Sequence, residues 1–302
     1  MKHHLDIALT AIAPVIWGST YYVTTEFLPS GYPVTMAALR ALPAGVLLLL
    51  LARQLPQGIW WLKAFALGAL NFTVFWALLF VAAYRLPGGV AATVGAVQPL
   101  IVVFLASMLL GTRITATAIA AALIGVSGVG FLVLGSGISL DPIGILAGIG
   151  GAMSMAAGTV LTRKWRAPVP LLTLTAWQLT AGGLLLVPFA LLLEPSLPPL
   201  KVQNLLGIAY LSLIGAALTY ILWFRGISRI EPSAVSALGF LSPLSAVLIG
   251  WTLLGQNLTP LQVAGAGTVL LAIWLGQHAG RAQPPLVVKR SNLFSKLKGN
   301  LS

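Results

Sequence analysis

The sequence predicts an all-α polytopic membrane protein, with ten transmembrane helices arranged as two inverted five-helix repeats in a basket around a central cavity. Three observations predict it. The chain is 58% hydrophobic and only 7% charged, whereas soluble domains carry about 25% charged residues. Its mean hydropathy is +0.98. Finally, residues 84–115 recur without a gap as residues 228–259, so that Arg85 falls on Arg229, Gly95 on Gly239, Pro99 on Pro243, Gly111 on Gly255 and Thr115 on Thr259. One Pro in mid-span, a Gly four residues before it and a Gly at the exit, all placed twice, mark an internal duplication.

Taken in order, apolar runs place spans at 5–25, 33–52, 62–84, 88–110, 115–134, 142–162, 169–193, 203–224, 233–254 and 261–278. Each is long enough to cross about 30 Å of hydrocarbon. Turn residues separate them: Pro29 to Pro33, Pro56 to Gly58, Pro87 to Gly89, Gly135 to Pro142 and Pro195 to Pro199. The first span is too long for a signal-peptide core and is expected to stay in the mature chain. The units are 1–137, a first repeat; 138–280, a second; and 281–302, a basic cytoplasmic tail drawn to anionic lipid.

Five spans per copy is an odd number, so the second copy enters the membrane from the opposite face. Lys and Arg set the direction. With the N-terminus in the cytoplasm, 14 of the 17 Lys and Arg fall on the cytoplasmic side. Only Arg85 and Lys201 fall outside, and Arg40 lies within a span. Both termini are therefore expected inside. The net charge of +12 reflects this bias between spans, so nucleic acid is not expected as a partner. The expected partners are the lipid bilayer and a small-molecule substrate, with a monomer favoured over a dimer.

Inverted repeats recur in secondary transporters, with the cargo site near the midplane between the halves. The prolines fit that reading. Each removes a helical hydrogen bond and pushes on the carbonyl four residues earlier, here Gly95 for Pro99 and Gly239 for Pro243. These four residues are candidate hinge positions, and the two glycines are expected to admit a close neighbour or ligand.

Candidate substrate contacts are polar or amphipathic groups deep within spans. They are Trp17 with Tyr21 one turn on, Arg40, Asn71, Trp76, Gln98, Trp177, Gln178 and Tyr220. Trp76 coincides with Tyr220 in the repeat, and Arg40 with Gln178 when Thr35 is set on Thr173. Trp60, Trp61, Tyr84 and Trp274 lie at or near span ends, where aromatic belts form. A deep Asn or Gln also serves as glue between helices. Arg40 has two readings: a fork for a substrate carboxylate, or a tie to free carbonyls.

Several groups are missing. With no Cys and with His3, His4 and His278 near the chain ends, no thiolate, metal site or cofactor is expected. Asp6, Glu26, Asp141, Glu194 and Glu231 all sit near span ends or in loops. Proton-coupled carriers usually keep a buried ionisable relay, so uniport, or coupling that avoids buried carboxylates, is expected. Ser19 and Ser136 have no nearby base, so an intramembrane enzyme is not expected.

Trp17-Gly18-Ser19, Arg40 and the Pro99 and Pro243 spans ending in Leu-Gly before Thr115 and Thr259 resemble the drug/metabolite transporter superfamily, in its EamA-type ten-helix branch. The resemblance covers residues 5 to 278 and is nearest to the YddG-type exporters of aromatic amino acids. That family often has Glu after the Leu-Gly, where this chain has Thr112 and Gln256. The resemblance implies export of small amphipathic metabolites across a bacterial inner membrane by alternating access, with amino acids as first choice. A cationic-amphiphile exporter is the alternative, and a channel a more distant one.

Overall fold

The computed structural model describes residues 2–85, 94–133, 141–253 and 259–281, and among them all regular structure is helical. The helices are α1 Lys2–Phe27, α2 Pro33–Ala52, α3 (Trp60–Gly68, a π turn at Ala69–Thr73, then Val74–Arg85), α4 Gln98–Leu110 and α5 Ala116–Val133. They continue as α6 Pro142–Trp165, α7 Leu171–Leu193, α8 (Val202–Ser212, a π turn at Leu213–Leu218, then Thr219–Arg229), α9 (Pro232–Leu238 and Leu241–Leu253) and α10 Pro260–Arg281. Eight of these helices are long and apolar enough to cross a membrane, and Gln98–Leu110 and Ala116–Leu132 are shorter apolar helices. The molecule is a polytopic helical membrane protein. Residues 88–93 of the expected fourth span lie outside the described residues.

Packing follows the repeat. Helix α3 packs on α6 as α8 packs on α1, and α4 packs on α6 as α9 packs on α1. The pairs α2–α7 and α5–α10 each join equivalent helices of the two halves. Exchanging the halves leaves this pattern unchanged. Ion pairs obey it too: Arg85 at the end of α3 meets Asp141 before α6 at 3.2 Å, and Arg229 at the end of α8 meets Asp6 in α1 at 3.4 Å.

In lipid, close van der Waals fit must do what water exclusion does in soluble cores, which favours small residues at helix crossings. A Cβ on Gly128 would lie 2.9 Å from the Val269 nitrogen, and one on Gly265 2.9 Å from the Gly128 carbonyl, so α5 and α10 touch nearly backbone to backbone. A Cβ on Gly182 would lie 2.9 Å from the Gly68 carbonyl, and one on Gly183 2.9 Å from the Leu42 backbone. Helix α7 thus nests against both α3 and α2.

The paired prolines act differently from a simple kink. In α9 the helix stops at Leu238, a turn covers Gly239 and Phe240, and a new helix starts at Leu241. Residues 94–95 are likewise helical, 96–97 form a turn, and α4 starts at Gln98. Pro99 and Pro243 therefore sit in the first turn of a second half-helix, where the missing N–H costs no helical bond. The break is closed by i→i+3 bonds, Gly239 N–H to Ser236 O at 2.9 Å and Val97 N–H to Val94 O at 3.3 Å. Of the close neighbour or ligand expected at the two glycines, no neighbour from another helix is found among the described residues. Among the described residues no atom lies within 4 Å of a Cβ placed on Gly95, and one on Gly239 meets only its own Ser236 carbonyl, at 3.0 Å. Gly239 keeps right-handed helical dihedrals, φ −57° and ψ −28°, so the turn there makes no use of glycine's extra backbone freedom.

Candidate functional site

The site starts from the π turn in α8. A π turn carries one extra residue, so the backbone ladder passes over a carbonyl. The Thr219 N–H bonds to Ile214 O and Ala216 O and skips Gly215 O. Side chains take that carbonyl instead: the Thr219 hydroxyl donates to it at 2.8 Å and Arg40 Nη2 at 2.6 Å. In α3 the Val74 N–H bonds to Ala69 O, passing over Leu70 O, which accepts from Ser154 Oγ of α6 at 2.8 Å. A carbonyl freed inside a bilayer must find such a partner, and both copies provide one from another helix.

Around the α8 turn the aromatic residues gather. Trp17 Nε1 donates to Thr219 Oγ1 at 3.0 Å. Its ring lies 5.1 Å from Tyr220 and 5.2 Å from Trp223, centroid to centroid. Phe72 links Tyr220 at 4.6 Å to Trp76 at 5.4 Å. The Arg40 guanidinium carbon stands 5.2 Å from the Trp76 ring centroid, within cation–π range. Helices α1, α2, α3 and α8 therefore converge, and Trp17 and Arg40 remain half-buried while Phe72, Trp76, Tyr220 and Trp223 are buried. This wall of π faces beside one cation suits an aromatic or amphipathic solute bearing an anionic group.

Trp17-Gly18-Ser19 has a distinct task for each residue. Trp17 faces the aromatic cluster. Gly18 lets α1 lie against the break in α9, since a Cβ there would sit 2.7 Å from Ser242 O and 2.8 Å from Ala246 N. The Ser19 hydroxyl lies 2.7 Å from the Tyr210 hydroxyl of α8.

Other candidates are not at this cluster. Asn71 Nδ2 donates to Gln178 Oε1 at 2.7 Å, and both residues are fully buried. They act as glue between α3 and α7. Trp177 points to the other end of its helix neighbourhood, donating to Gln54 O at 2.7 Å beside Trp60. Gln98 opens α4 and is half-buried. Tyr21 follows Trp17 by one turn in α1, and its side chain lies outside the described residues. For Arg40, the carbonyl-tying contact is present.

Sequence reasoning missed Phe72, Thr219 and Trp223. Thr219, Tyr220, Trp223 and Phe224 recur at helical spacing in the second half of α8, a signal that one face was crowded with aromatic and hydroxyl groups. The π turns leave no comparable mark in sequence.

The sequence matches a known family. The sequence model of the EamA-like transporter family matches twice, over residues 5–134 and 142–276. The chain belongs to this family. It is 42% identical over 288 residues to the protein PecM of Dickeya dadantii, covering 95% of this chain and 93% of that one. It is 29% identical over 278 residues to YedA, an uncharacterized inner membrane transporter of Escherichia coli K12, covering 89% and 90%. A solved crystal structure superposes with a TM-score of 0.78 at 20% identity, covering 91% of this chain and 98% of that one, and so shares the fold. As an EamA-like member of the drug/metabolite transporter superfamily, this chain is a multi-pass membrane transporter of small molecules.

Proposed function

We propose that this transporter exports amino acids, aromatic and large apolar ones first, from a bacterial cytoplasm across the inner membrane. The observation that carries the reading is the convergence of Trp17, Trp76, Tyr220 and Arg40 on one π turn. The rings receive an apolar side chain, and the Arg40 guanidinium faces the substrate carboxylate while its Nη2 keeps the Gly215 carbonyl. A phosphorylated cargo fits less well, because it calls for several cations. Tyr21 and Gln98 flank this site in our reading; Asn71, Gln178 and Trp177 brace the helices that carry it.

Transport proceeds by alternating access. The halves 1–137 and 138–280 rock about the paired breaks at Gly95–Pro99 and Gly239–Pro243, with both termini in the cytoplasm. YedA's inner-membrane description and the basic-residue bias support the location. The mid-span segments carry no Asp or Glu, which supports uniport.

Counterflow in proteoliposomes with labelled amino acids, amines and sugar phosphates tests the reading. Amino acids should exchange, and Trp17→Ala and Arg40→Ala should each lower the rate at least about tenfold, equivalent to about 1.4 kcal/mol. Exchange of cationic amines alone, unaffected by Arg40→Ala, would favour the cationic-amphiphile reading instead. Strict dependence on an imposed pH gradient would exclude uniport.

A further inference from the structure

A buried indole N–H normally has a hydrogen-bond partner. Trp223 is 2% exposed, yet its Nε1 has none among the described residues. Its neighbour Trp17 differs, because its own Nε1 is engaged by Thr219. The Trp223 ring packs 5.2 Å from Trp17, inside the aromatic cluster. The unengaged donor therefore lies at the candidate substrate site rather than in an unrelated core.

We infer that Trp223 is a specificity-determining residue whose N–H receives a hydrogen-bond acceptor at the far end of an aromatic cargo. This rests on the amino-acid reading above and extends it. Trp223 lies eight residues beyond Gly215, whose carbonyl holds Arg40. Eight residues are about two turns of helix, so the two groups stand at different levels along α8, with Thr219 and Tyr220 at the levels between them. An aromatic cargo with a polar atom at each end places its carboxylate at Arg40, its ring among Trp17, Phe72 and Tyr220, and its distal acceptor at Trp223. Half-buried Trp17 stands where that ring would enter, so the cargo takes over part of the stacking that Trp17 now makes with Trp223.

Tyrosine carries such an acceptor, its phenolic oxygen, and phenylalanine lacks it. Counterflow should favour tyrosine by about two- to tenfold, the ratio that one neutral hydrogen bond supports. Trp223→Phe keeps a ring but removes the donor, so it should bring the ratio to about one while phenylalanine exchange persists. Trp223→Tyr restores a donor and should restore part of the preference. Equal exchange of both substrates by the native protein would overturn the inference, as would a tyrosine preference that survives Trp223→Phe. If both variants lose all exchange, thermal shifts of the native protein decide: a shift by tyrosine no larger than by phenylalanine overturns it. Exchange of neither amino acid by a native protein that moves other solutes would defeat the functional reading itself.

Discussion

Arg40 and Gln178 occupy matching places in α2 and α7, and each reaches across to a π turn of the other half. Arg40 meets the Gly215 carbonyl of α8, and Gln178 meets the Asn71 side chain of α3. The duplication has diverged into one charged, half-buried contact and one neutral, sealed contact. Asn71→Leu strands the Gln178 amide and should cost about 1–3 kcal/mol, whereas adding Gln178→Leu should recover part of that; melting temperatures in detergent check it. At the molecule's edge, Asp141 is held below its ordinary value, chiefly because its carboxylate accepts from the Gly144 N–H, with Arg85 adding to the effect. A depressed carboxylate stabilises the fold at neutral pH and loses that contribution as pH falls below 3.8 toward its folded value. Asp141→Asn should flatten the melting temperature against pH in that acid range alone. That Arg40 was special was legible in the sequence, because a charge inside a span must face a cavity or find a partner. Which partner it finds was not legible, since Gly215 lies 175 residues away.

Helix existence was legible from the apolar runs, and described helix ends other than the start of α4 fall within about five residues of the expected ones. Interruptions were legible only in part. The matched Pro99 and Pro243 announced a disturbance in two spans, and the structure resolves it as a half-helix start. Replacing both by Ala should lower turnover more than expression, because the first turn tolerates either residue while the break loses its stop signal. The π turns at Ala69–Thr73 and Leu213–Leu218 were not legible, since ALNFT and LIGAAL contain no breaker common to both. Their position in corresponding helices of both repeats argues that they are built in. Deleting Gly215 should restore an α-helical ladder and rotate one side of α8 by about 100° relative to the other. Tyr220 and Trp223 would then leave the cluster. The expected outcome is a protein that inserts and purifies yet exchanges little substrate.

At the scale of the whole molecule, α6 and α8 are joined where each ends. Arg163 Nη1 donates to Ile227 O at 2.8 Å and also to Ile230 O. Arg163→Ala removes these donors and should lower the melting temperature, while Arg163→Lys should retain part of it. The absence of Cys gives a ready background for mapping orientation: Ser196→Cys should react with an impermeant thiol reagent from outside, and Gln57→Cys only after the membrane is opened. The reverse pattern would invert the proposed topology.

The sequence by itself determined the membrane class, the order of the apolar helices, the duplication and the residues too polar to face lipid. These follow from local composition and period, because hydrocarbon penalises every unpaired polar group wherever it occurs. Only the tertiary structure decided which polar groups meet. It separated Asn71, Gln178 and Trp177 from the cluster, added Phe72, Thr219 and Trp223, and assigned the Gly215 carbonyl to Arg40 and Thr219. The reason is geometric: one extra residue in a π turn changes which face of a helix looks inward, and the side chains that answer it come from other helices far along the chain.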